Sequence, residues 1–88
     1  MKRTVNVTEI EDDGFISLLG KKIFVLCARY SYAGILSGVN ESCICISNPS
    51  VVYETGAWTS ITWKDAQAMG TKELFVQTSA IESFMEGK

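Results

Sequence analysis

The sequence predicts an all-β protein: a small, strongly bent five-stranded barrel with a short helix ahead of it and an extended hairpin inserted between strands 3 and 4. Three observations carry this. From Ile23 onward the apolar residues fall in short β-prone runs, Gly34 and Gly38 sit inside one such run, and the segment AGILSGVNESCICIS passes through Asn40 into the next. A glycine within a strand permits a sharp bend or the close approach of another backbone. Asn and Ser favour a turn because their short side chains bond nearby backbone.

The elements follow in order. Thr8 with Glu11 makes a capping box, and Asp12 or Asp13 caps a shorter helix through Phe15, Ile16, Leu18 and Leu19 that Gly20 stops, so a helix is expected over about residues 8–19. The alternative takes Asp13-Gly14 as a tight hairpin turn between residues 5–10 and 15–19. In the first strand Ile23, Val25 and Cys27 share one face while Phe24, Leu26, Ala28 and Tyr30 share the other, with no polar side until Arg29. A strand of that kind is covered on both faces. The second strand is expected over 33–39 and the third over 43–47, resuming after Pro49 as 51–54; 74–78 and 81–85 complete five. The stretch 49–72 is too long to be structureless in a compact domain. Its β-prone runs 51–53 and 59–63 flank a turn at Gly56, and 64–69 followed by Gly70 reads as one helical turn with its cap.

Composition sets the bounds. The 88 residues make one domain, 1–88, for which folding buries only about 60 to 65% of the unfolded chain's surface. With 47% hydrophobic and 20% charged residues, the apolar supply exceeds what so small a core needs, and the excess points to subunit contacts. A formal charge of −2 gives no overall attraction for polyanions, so nucleic-acid binding needs a local patch. Among the basic residues only Lys2 with Arg3 and Lys21 with Lys22 are adjacent. Thr4, Asn6 and Thr8 follow the first basic pair where a signal peptide would turn apolar, and 23–28 is too short to span a bilayer, so a cytoplasmic protein with reduced thiols and no membrane partner is expected.

The chain has no histidine, which removes the usual general base and the commonest metal ligand. Ser31, Ser79 and Cys27 lack a flanking motif that supplies a base, so no enzymatic activity is expected. Cys43 and Cys45 lie two apart on one strand, about 6.5 to 7 Å between Cα atoms, which is poor disulfide geometry. Zinc needs four ligands and Cys27 is only a third, so no metal and no cofactor is expected.

The runs GKKIFVLCARYSYAG and GILSGVN together resemble the first signature of the Sm/LSm family, with Gly34 on its strand-two glycine, Leu36 and Val39 on buried positions, and Gly38 with Asn40 on its Gly-x-Asp/Asn turn. LFVQTSAIESFM resembles the second signature, two short strands joined by a very tight turn. The likeness places the chain with the divergent, phage-related Sm-like proteins. It favours the helix over the hairpin at the start, and it implies a homo-oligomeric ring that binds single-stranded RNA. In such a ring the loop Asn40, Glu41, Ser42 and the turn Gln77, Thr78, Ser79 line the central hole. Two pairs of family positions differ: Cys43 and Ile44 stand where a Met-Asn pair is usual, and Gln77 and Thr78 where Arg-Gly is usual, so weakened or altered base specificity is expected.

Arg29 beside Tyr30 and Tyr32 offers a base-stacking group with a cation. The ordinary alternatives are turn chemistry for the two loops and core or interface packing for the tyrosines. The last two strands carry Leu74, Phe75, Val76, Ile81, Phe84 and Met85 on sheet edges that a neighbouring copy would satisfy. The second functional reading is a structural or protein-interaction ring that holds a protein partner through Trp58 and Trp63 and binds no nucleic acid.

Overall fold

The structure, a computed structural model, describes residues 14–70 and 72–88. A 3-10 helix at Gly14–Leu18 leads into strands β1 (Lys22–Cys27), β2 (Ser31–Val39), β3 (Cys43–Glu54), β4 (Asp65–Ala68) and β5 (Leu74–Gln77); a 3-10 turn at Thr78–Ala80 then leads into β6 (Ile81–Glu86). The ladders are antiparallel, in the order β4-β3-β2-β1-β6. β5 pairs with β3 over Cys43 to Ile46, and β4 pairs with β3 over Ser50 to Glu54. The all-β class is the one the sequence predicts. Among the described residues the strand count is six where five were expected, and the sheet they form is not closed: β5 and β6 follow one another but pair with β3 and β1 respectively.

Of the expected helix over 8–19, Thr8, Glu11, Asp12 and Asp13 lie outside the described residues, as does the 5–10 arm of the alternative hairpin. The described part is a 3-10 turn in which the Ser17 hydroxyl donates to the Gly14 carbonyl at 2.7 Å. It is held by its apolar residues rather than by length: Phe15 stacks on Phe84 with ring centroids 4.0 Å apart, and Phe15 and Leu18 both pack against the larger core cluster.

β1 carries apolar side chains on both faces and is covered on both. Ile23 and Val25 join Leu36, Ile44, Ile46 and Val76 in the larger cluster, while Phe24 turns to the opposite side with Ala33 and Val52, under Trp63. Complete burial of Ile23, Phe24 and Val25 follows from this two-sided cover.

The bend in β2 and β3 has a local cause. Ala33 pairs with Ser50 and Ile35 with Ser47, so Gly34 alone faces the two residues Asn48 and Pro49. This bulge sets Asn48 at φ 51° and buries Pro49, whose missing N–H is no loss where the ladder is already interrupted. β3 therefore runs through Pro49 without a break. A second irregularity, between Leu36 and Gly38, leaves Ser37 to donate its hydroxyl to the Cys45 carbonyl at 3.2 Å.

The 49–72 stretch differs from expectation in detail. Asp65–Ala68, read as helical, is a short exposed edge strand, and 59–63, read as a strand, is irregular. Pairing to β3 from Ser50 to Glu54 outweighs the helix preference of a four-residue segment.

Candidate nucleic-acid interface

The two loops expected to line a central hole touch one another. Asn40 builds the first: its Oδ1 accepts the backbone N–H groups of Ser42 at 2.8 Å and Cys43 at 2.9 Å and the Ser42 hydroxyl at 3.2 Å, while its own N–H donates to the Cys43 carbonyl at 2.9 Å. The β3–β5 ladder ends at Cys43 opposite Gln77, and the next bond in line runs from the Thr78 N–H to the Ser42 carbonyl at 2.9 Å. The Thr78 hydroxyl reaches the carbonyls of Glu41 and Ser42 at 3.4 and 3.3 Å. A shallow depression follows this seam, walled by Phe75, Gln77 and Ser79.

Because the Asn40 carbonyl oxygen is spent on backbone, only its amide N–H₂ remains to meet a ligand. Asn40→Ala is expected to lower stability by about 0.5 to 1.5 kcal/mol, the net worth of the turn's hydrogen bonds, because the two N–H groups it frees are exposed and turn to water. Asn40→Asp, which keeps the acceptor, is expected to be close to neutral. Urea denaturation of the three proteins checks this.

Arg29, Tyr30 and Tyr32 lie across β5 from that seam. They line a second depression together with Gln77, Ser79 and Glu82, so Gln77 and Ser79 serve both hollows. Tyr30 and Tyr32 have ring centroids 6.4 Å apart at 49°. Tyr30 is exposed; Tyr32 is half-buried against the core. Burial, followed by the neighbouring Cys27 and Tyr30, raises the Tyr32 hydroxyl above its ordinary pKa, and burial followed by Glu82 does the same for the Cys27 thiol. Both groups therefore meet a ligand as neutral species at pH 7. The charge here is mixed, with Arg29 offset by Glu82 and the first loop bearing Glu41.

The six edge residues separate into two kinds. Val76 is buried in the larger core cluster, and Leu74, Ile81 and Phe84 pack against that cluster from its border. Phe75 and Met85, 66% and 40% exposed, carry the outward apolar surface.

Three features escaped sequence reasoning. Glu82 enters the tyrosine hollow because β6 pairs with β1 through Cys27 and Ile81, a register that no local motif signals. Cys45 donates its thiol to Glu73 at 2.7 Å; this bond, ahead of burial, raises its pKa, against a lowering contribution from Ser37. Lys88 lies against Trp58 and Trp63. All three cysteines are free, and among the described residues no group of three or more Cys, Asp or Glu is arranged to hold a metal. Among those residues, too, no helix is long and apolar enough to cross a membrane. Compared with protein-family models, curated proteins and solved structures, the chain finds no match.

Proposed function

We propose that this chain is a non-enzymatic, Sm-like subunit that closes its bent sheet into a barrel, assembles with copies of itself into a ring, and binds single-stranded RNA with weakened or altered base preference. The observation that carries the reading is the bonded seam between Ser42 and Thr78, which joins the two recognition loops into one surface. Support comes also from the outer edges of β5 and β6, each of which pairs on one side with its own chain and presents Phe75 or Met85 beside the other. RNA contact falls to Asn40, Glu41, Ser42, Gln77, Thr78 and Ser79 through amides, hydroxyls and backbone, with Arg29, Tyr30 and Tyr32 stacking at the periphery.

Fluorescence anisotropy with short U-rich and A-rich RNA, run beside light scattering, tests it. Binding in the range of about 1 to 100 μM at low salt, weakening as salt rises, is expected from an oligomeric species. No binding to either RNA overturns the nucleic-acid reading. A second reading, a protein-interaction ring, is favoured by the exposed group Trp58, Ile61 and Met85, which line one groove. Capture of a protein without nucleic acid, lost in Trp58→Ala, selects it.

A further inference from the structure

The irregular segment between β3 and β4 has a structure that backbone propensity does not explain. Three carbonyl oxygens, those of Thr55, Ala57 and Thr62, converge on one point and accept the Lys88 ammonium at 2.7, 2.9 and 3.1 Å. The same nitrogen lies 4.6 Å from the centre of the Trp63 ring and 5.8 Å from that of Trp58. The two indoles meet edge to face, 6.3 Å apart, and Phe24 backs both, 4.7 Å from Trp63 and 5.9 Å from Trp58.

A primary ammonium has three N–H donors and no acceptor, and here each donor has one carbonyl while the charge faces two aromatic rings. A guanidinium is planar and presents its donors in a fork, and a quaternary ammonium has none to give. The loop is held in shape by groups other than Lys88: the Lys64 N–H donates to the Thr55 carbonyl at 3.3 Å, the Ser60 N–H to the Ala57 carbonyl at 3.0 Å, and Gly56 turns at φ 73° with Lys64 against it.

We propose that residues 55–63 form a binding site for a primary alkylammonium, the class to which a lysine side chain belongs, and that Lys88 fills it within the chain. The site lies apart from the RNA surface and stands without that reading. With Lys88 withdrawn, it accepts a lysine-like ligand from outside.

Lys88→Gln tests the proposal, with the emission of the two tryptophans as readout and n-butylammonium chloride as probe at constant ionic strength. The variant is expected to show a saturable change in emission, with half-saturation at least about tenfold lower than in the unaltered protein, where the tethered Lys88 competes at millimolar effective concentration. Tetramethylammonium is expected to give no such change. A folded Lys88→Gln without a saturable response, or one that responds equally to tetramethylammonium, overturns the proposal. Should the substitution loosen the loop, the unaltered protein still decides: the Lys88 ammonium protons should exchange with water at least about tenfold more slowly than those of exposed Lys64, and equal rates overturn the assignment.

Discussion

Gly34→Val is expected to destabilise the chain severely. At this position β2 passes so close to the β3 bulge that a Cβ would enter the envelope of Ile46 Cγ2 and lie 2.8 Å from the Ser47 carbonyl oxygen and 3.3 Å from that of Asn48. None of these neighbours can give way: Ile46 is fully buried, and the two oxygens are backbone held by the bulge. Overpacking a core usually costs about 1 to 3 kcal/mol, and valine adds two further methyls to a site that refuses the first, so a loss above about 3 kcal/mol is expected. That is a large share of the stability of a domain of this size. Gly38→Ala is the control, because a Cβ there meets only Cys45 Cβ at an ordinary 3.4 Å. Thermal melts followed by circular dichroism should show a collapsed transition for Gly34→Val and a small shift for Gly38→Ala. An unshifted melt for Gly34→Val would remove the close approach as the cause of the bend.

The contrast between these two glycines shows how much of the fold was legible. A glycine in a strand says that something comes near, and the strand pattern located both; which of them is crowded depends on the residue across the ladder, and that is set by a register shift at Asn48 and Pro49. β1 was readable because six successive residues lack a polar side, a pattern with one meaning in a small protein. Asn40 was readable because its turn is built from atoms within three residues. The 64–69 segment misled because Lys-Asp-Ala-Gln-Ala-Met favours a helix locally, while its partner on β3 lies more than ten residues back. The same holds for the candidate sites. Each of the two loops announced itself, and the bond that joins Ser42 to Thr78 spans 36 residues of chain. The ammonium site had no local sign, since Lys88 meets carbonyls 26 to 33 residues away.

Phe24→Ala is expected to have the second large effect, and to separate the two sides of the sheet. Phe24 is fully buried, yet it belongs to the smaller cluster, where its neighbours are Ala33, Val52, Leu26 and Trp63. Removing its ring deletes the floor beneath both tryptophans, and neither Ala33 nor Val52 is large enough to refill the space. Truncation of a buried phenylalanine costs about 3 to 5 kcal/mol, part of it from the cavity. The larger cluster of Ile23, Val25, Leu36, Ile44, Ile46 and Val76 is untouched by the change, so what remains folded should keep the Phe15–Phe84 stack and the Ser42–Thr78 seam. The expected result is a lowered urea midpoint together with a red shift of tryptophan emission that precedes the loss of β-sheet signal, because the 55–63 segment has lost the surface it packs on. A single coincident transition, with tryptophan emission unchanged below it, would mean that the inserted loop is held by the β3–β4 ladder and Lys88 rather than by Phe24. The aromatic trio would then have to be read as a consequence of the loop's position and not its cause.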